Sequence, residues 1–301
     1  MKRILLIAVL CFSIFQSNAC DICGCSSGNY FLGPFPQFRT HFFGTRYSFR
    51  SFESRLKSDE SQFSKDFYQT IELWGGVNIG KKWQLLAFAP YNINKQNSDD
   101  GTKTATGLGD ISFIVNHKLL DKRNTDKNAN MISQQLWVGG GVKFPTGKFS
   151  PEEADIIPDA NNQAGTGSVD FIVNTMYTLH LNDWGVNSNI NYKINRSAES
   201  FRFGNRLTTT AFVFRSFQNE TGNTSLNPNL GVVYERLGAN KMTSGKVADT
   251  GGNAFLASAG LEVNFAKIAI GMNTQLPIAQ NLSNHQTRTN IRGALHVSFL
   301  F

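Results

Sequence analysis

Trp184-Gly-Val-Asn-Ser-Asn-Ile-Asn-Tyr-Lys-Ile-Asn195 alternates without a slip. Trp184, Val186, Ser188, Ile190, Tyr192 and Ile194 fall on one face of an extended chain. Gly185, Asn187, Asn189, Asn191, Lys193 and Asn195 fall on the other. A strand projects successive side chains to opposite sides, so period-two alternation marks a strand between two unlike environments. An Asn/Lys face is too polar for a protein core, and the apolar face carries Trp and Tyr near its ends, as membrane strands do at the two interfaces. The stretch predicts a strand with lipid on one side and a polar lumen on the other.

The same pattern spreads in both directions. Ile71, Leu73, Val77 and Ile79 oppose Asp66, Thr70, Glu72 and Asn78, and Phe255, Ala257, Ala259, Leu261, Val263 and Phe265 oppose Ser258, Glu262 and Asn264. Segments of this kind lie near 38–51, 66–79, 83–93, 108–119, 132–144, 167–181, 184–195, 203–216, 226–236, 254–265, 267–278 and 289–301. Turns alternate in length: Gly80–Lys82, Asn182–Asp183 and Ala266 are tight, whereas 94–107, 145–166, 237–253 and 279–288 are long and polar. Only 120–131 is long where a short turn is due. An even number of antiparallel strands with short turns at one end and long loops at the other predicts an all-β, up-and-down transmembrane barrel of about twelve strands. Single-chain barrels of this kind keep both termini in the periplasm and belong to the outer membrane of Gram-negative bacteria. A secreted β-sandwich also alternates, but its strands are shorter and its solvent face would be richer in Lys and Glu.

Composition agrees. Mean hydropathy is −0.24, and no run reaches the roughly 18 apolar residues of a membrane helix, whereas barrel strands average out to soluble-like values. The formal charge of +7 includes Lys2 and Arg3, and the remaining basic residues are dispersed rather than gathered into a nucleic-acid-binding stripe. Partners expected from this layout are outer-membrane lipid and lipopolysaccharide, not nucleic acid.

Met1-Lys-Arg3, an apolar run from Ile4 to Phe15 and Ser17-Asn-Ala19 read as a secretory signal over 1–19. The segment 20–36 follows, in the periplasm or the lumen, and 37–301 forms the barrel. Cys20-Asp-Ile-Cys23-Gly-Cys25 brings three thiols together. Copper or zinc chelation, one disulfide with an odd thiol, and lipidation of Cys20 are alternative readings. No other cofactor is required. The final segment alternates from Ile291 to Phe301, and a terminal aromatic resembles the signal read by the outer-membrane assembly machinery. His296-Val-Ser298 has the spacing of a barrel lipase, but both residues fall on the lumen face, with no third member in the sequence. No phosphate loop, dinucleotide fingerprint or nucleophile elbow is present, so an enzyme is not expected.

Thr106-Gly-Leu-Gly-Asp110, Gly141-Val-Lys-Phe-Pro-Thr-Gly-Lys148, Gly165-Thr-Gly-Ser-Val-Asp170 and Phe203-Gly-Asn205 resemble, in order and spacing, the outer-membrane transporter family of the meta-pathway phenol-degradation type, over roughly residues 67–301. The resemblance implies a barrel and a transport role for a small hydrophobic or metal-linked solute. Asp110 and Asp170 then begin strands on the lumen side. Two readings stand: a cation-selective constriction, and a structural network with the lumen residues Lys143, Lys193 or Arg206. The N-terminal segment is a candidate gate.

Overall fold

The computed structural model describes residues 40–55, 63–99, 101–125, 131–150, 161–220 and 223–301. The expectations for 1–36, including those for Cys20, Cys23 and Cys25, lie outside the described residues.

Twelve strands form the barrel. They are β1 (Phe42–Arg55), β2 (Phe63–Ile79), β3 (Trp83–Ser98), β4 (Ser112–Thr125), β5 (Met131–Lys143) and β6 (Asp170–Leu181). They continue as β7 (Trp184–Ile194), β8 (Arg206–Arg215), β9 (Thr224–Leu237), β10 (Gly252–Phe265), β11 (Ile268–Leu282) and β12 (Thr287–Leu300). Each pairs antiparallel with its neighbours in sequence, and β1 pairs with β12 from Phe42 opposite Leu300 to Ser54 opposite Thr287, which closes the sheet. Among the described residues no helix is long and apolar enough to cross a membrane.

The alternation of the sequence becomes the two faces of this wall. In β7 Trp184, Val186, Ile190 and Tyr192 are exposed on the outside while Gly185, Asn187, Asn189, Asn191 and Lys193 are buried inside. Around the barrel the outer face shows Leu73, Val115, Val173, Leu230, Met272, Leu295 and Phe299, each at least 45% exposed. A continuous apolar belt of this kind is stable against lipid and not against water. Trp83 and Trp184 stand exposed at the end of the barrel that carries the short turns.

Three departures from the sequence reading have local causes. The polar stretch 94–107, expected as a loop, is mostly strand: β3 runs to Ser98, and Gly101–Leu108 pairs back onto it from Tyr91 opposite Leu108 to Ser98 opposite Gly101. Most of Gly101–Leu108 is exposed, so it has no apolar side and shows no amphipathic alternation. The long turn at 120–131 shortens because β4 and β5 pair on, past a bulge at Lys118–Leu120, to Thr125 opposite Met131. The wall is also less polar within than expected. Phe42, Trp74, Leu86, Phe88, Ile114, Trp137, Ile172 and Met176 form a buried cluster on the lumen side. In β3 the outward residues Leu85, Ala87 and Ala89 are apolar as well, so that strand carries little contrast between its faces.

At the end remote from the termini, Ser197–Ala198, Phe201–Arg202, Lys241–Met242 and Gly245–Lys246 make a small antiparallel cap sheet. Phe201 and Phe203, with Phe149 and Met242 against them, pack it down.

Leu230, 67% exposed on the outward face of β9, supplies a test of this belt. Leu230→Arg should lower the stability of the barrel in lipid vesicles by about 2–4 kcal/mol, read by denaturant titration. A change below about 1 kcal/mol would place that face outside the hydrocarbon.

Candidate functional site

Part of the lumen side of the wall is built from short amides, several of which pair across strands. Asn174 Nδ2 donates to Asn116 Oδ1 at 3.2 Å, Asn189 Nδ2 to Asn174 Oδ1 at 3.0 Å, and Asn187 Nδ2 to Thr178 Oγ1 at 2.9 Å. A buried amide left unpaired costs more than a typical pair contributes, so such ladders rigidify the wall.

At the mouth, the end remote from the termini, the ladder meets a charged clamp. Lys143, the last residue of β5, lies between Asp110 and Asp170, with its Nζ 2.6 Å from Asp110 Oδ2 and 2.7 Å from Asp170 Oδ2. None of the three side chains has exposed surface. Thr166 donates to Asp110 Oδ2 from its backbone N–H at 3.0 Å and from its hydroxyl at 2.6 Å, and Lys143 also contacts the Thr166 hydroxyl. Gly147 N–H donates to Asp110 Oδ1 at 3.0 Å. Asp170 Oδ1 accepts from Ser168 Oγ at 2.8 Å and from Arg196 N–H at 2.9 Å. Each carboxylate therefore has hydrogen bonds beyond the lysine, the condition under which a buried ion pair is tolerable.

The clamp fixes a loop. Within the stretch 145–166, expected as a long outer loop, the described residues from 161 onward turn inward, and Asn161, Asn162, Gln163, Ala164 and Thr166 are buried. Asn92 on the lumen face of β3 donates to Ala164 O at 2.8 Å while its Oδ1 accepts from Thr70 at 3.0 Å, and Asn94 donates to Gln163 O at 3.0 Å. The two arms of the loop touch backbone to backbone. A Cβ on Gly165 would lie 2.4 Å from Gly147 O, which explains why glycine occupies that position. A buried loop must satisfy its backbone polar groups locally, and these contacts do so for the carbonyls of Gln163 and Ala164 and for the N–H of Thr166.

Three of the sequence motifs thus converge on one place: Gly109-Asp110, Lys143 with Thr146-Gly147, and Gly165-Thr166 with Ser168 and Asp170. The fourth, Phe203-Gly-Asn205, packs the neighbouring loop, where Asn195 Nδ2 donates to Gly204 O at 2.6 Å and Gly204 N–H to Asn240 Oδ1 at 2.9 Å.

Of the other lumen residues singled out, Lys193 and Arg206 lie buried and opposite each other in register on β7 and β8. Arg206 joins a separate network. Its Nη2 is 3.1 Å from Glu235 Oε2, and Arg292 Nη1 on β12 reaches the same oxygen at 2.9 Å. A third network holds Arg46 against Glu72, and His296 Nε2 lies 3.0 Å from Glu262 Oε2. Between β10 and β12 stands Gly271, whose Cβ would fall 2.1 Å from His296 Nε2, so glycine leaves the gap that these two side chains fill. Sequence reasoning missed Glu235, Arg292, Glu262 and Arg46 as a set. Their lumen phase is readable, but which of them meet depends on barrel curvature. Ser298 Oγ has no hydrogen-bond partner among the described residues, so it is not activated by His296.

No family model matches the chain, and no curated protein matches it. Among solved structures, an outer membrane channel from Pseudomonas putida F1 shares the fold with a TM-score of 0.57 and 14% identity, over 87% of this chain and 96% of that one. The β domain of the Bordetella autotransporter BrkA aligns at a TM-score of 0.48 and 9% identity, over 87% and 100% of the two chains. Closure of the sheet, the apolar belt and the shared fold define the class: this chain is an outer-membrane-type β-barrel of twelve strands. Within that class its fold is similar to that of the Pseudomonas channel, an identity level that speaks to architecture only.

Removing the cation of the clamp leaves two buried carboxylates facing each other. Lys143→Met should destabilise the folded barrel by about 3–5 kcal/mol, measured by guanidinium unfolding in detergent. A loss under about 1 kcal/mol would mean that the carboxylates are hydrated and the clamp does not hold.

Proposed function

We propose that the protein is a channel of the Gram-negative outer membrane for a small solute, with both termini in the periplasm and residues 161–168 forming its constriction. One observation carries this reading: an outer loop is folded into the mouth and tied there by Asn92, Asn94 and the Lys143 clamp. Such an arrangement narrows the mouth with a loop that belongs to the barrel wall. It supports selective passage rather than a wide diffusive pore.

The chemistry of the lumen bears on the solute. The cluster around Trp74, Phe88 and Trp137 is packed inside the barrel with 3% exposed surface or less, so aromatic and apolar side chains fill part of the interior beside its amide ladder. Where these side chains part, a small hydrophobic compound gains from contact with them and a hydrated inorganic ion does not. The resemblance to the meta-pathway phenol-degradation family points the same way. The clamp does not favour a cation filter, because both carboxylates are turned to Lys143 and carry no exposed surface. A lipase is also disfavoured, since Ser298 is fully buried on the lumen side and unbonded to His296. The N-terminal segment 20–36, in the periplasm or the lumen, is a second candidate gate in this reading.

Planar-bilayer recording of the refolded mature chain tests the reading. Asn92→Ala with Asn94→Ala removes both side-chain ties to the loop and should raise open-state conductance or open probability by about twofold or more, since each lost tie is worth about 1 kcal/mol. A membrane-inserted, heat-modifiable barrel that stays electrically silent in both forms, and admits no hydrophobic solute into vesicles, would contradict it.

A further inference from the structure

The cap sheet places three cations in one row. Arg202 is opposite Lys241, and Lys241 is opposite Lys246, across three adjacent short strands. Like charges directly opposite one another in a sheet destabilise it, whereas opposite charges stabilise it. Among the described residues, no ion pair reaches Arg202, Arg236, Lys241 or Lys246. Arg202 uses Nε on Asn195 O at 2.8 Å and Nη2 on Asn205 Oδ1 at 3.4 Å, which fixes its guanidinium in place.

Beside this row lies a groove of about 440 Å³, with Arg202, Lys241 and Lys246 on the cap side and Tyr192, Leu207 and Arg236 on the barrel side. The barrel-side residues also stand in one register row, on the outward face of β7, β8 and β9. The groove therefore joins the lipid-facing wall to a cationic overhang at the end of the barrel remote from the termini. Arginine and lysine around a pocket with an aromatic and an aliphatic wall suit a phosphate on an apolar stem. A freely diffusing phosphate has no use for Tyr192 and Leu207.

We infer that this groove binds the phosphorylated headgroup of an outer-leaflet lipid, with the phosphate among Arg202, Arg236, Lys241 and Lys246 and the proximal acyl chain along Leu207 and Tyr192. The bound anion would relieve the repulsion in the cap row and pin the cap to the membrane surface. The inference rests on the orientation proposed above, in which the end remote from the termini faces outward.

Native mass spectrometry of the refolded full-length mature barrel tests it, with bisphosphorylated lipid A, the same lipid dephosphorylated, and inorganic phosphate as probes. The wild type should retain one bisphosphorylated lipid through detergent exchange and release the dephosphorylated form. Arg236→Gln with Lys241→Gln should weaken retention by about tenfold or more, since each charge-assisted hydrogen bond is worth about 1.5–3 kcal/mol. Lys246→Gln, on the exposed outer strand of the cap, should give a smaller loss in the same direction, and heat-modifiable migration confirms that each variant is folded. Equal retention by the double variant, equal retention of the dephosphorylated lipid, or inorganic phosphate bound as tightly as the lipid would each overturn the assignment. Bilayer recording on the same double variant separates this from the channel reading. Lipid loss with unchanged conductance supports the groove by itself, and a silent wild type that still shows phosphate-dependent, variant-sensitive retention removes the channel and leaves the groove.

Discussion

Hydrocarbon offers no partner to a backbone N–H or C=O, and the rest of this structure follows from that constraint. A sheet with free edges would leave a row of such groups exposed to lipid. Pairing Phe42–Ser54 with Thr287–Leu300 removes both edges. Once the sheet is closed, every strand has one face to lipid and one to the interior, so side-chain identity is dictated by phase. The outward belt then costs little and the inward face must manage its own polarity.

The interior manages it by pairing. Amides bond to amides, and charged residues are grouped so that Lys143 meets Asp110 and Asp170, Glu235 meets Arg206 and Arg292, and Glu72 meets Arg46. At low effective dielectric these pairs are costly to break, although a well-packed apolar replacement would be as stable. Their value is positional. The Lys143 group sits where the ends of β5 and β6 meet the loop, and its hydrogen bonds to Thr166 and Gly147 determine where the loop lies. The chain is thereby committed to a narrowed mouth, in which a few side chains hold one segment in place.

How far this could be read from the sequence depends on the range of each interaction. Alternation is local, so twelve strand segments were legible, and so were the lipid and lumen phases of those with strong contrast between their faces, with Trp184–Ile194 the clearest case. Gly101–Leu108 was not, because with polar residues on both faces a strand has no contrast. Leu86 and Phe88 were obscured in the opposite way, by apolar neighbours at Leu85, Ala87 and Ala89. The glycine motifs were visible, but their convergence was not. That Gly147 packs on Gly165, or that Thr166 caps Asp110, depends on a loop turning inward, which no spacing encodes. Arg292 and Glu235 meet across two intervening strands, a chord set by barrel curvature.

Hydrogen–deuterium exchange across residues 161–170 addresses the central claim most directly, because Thr166 N–H donates to Asp110 and Gly165 N–H donates to Lys148 O. In the refolded wild type these amides should exchange orders of magnitude more slowly than an open loop, and Asp110→Ala should bring them close to the unprotected rate. Unprotected exchange in the wild type, or equal protection in both forms, would mean that the loop is not held in the mouth by the clamp.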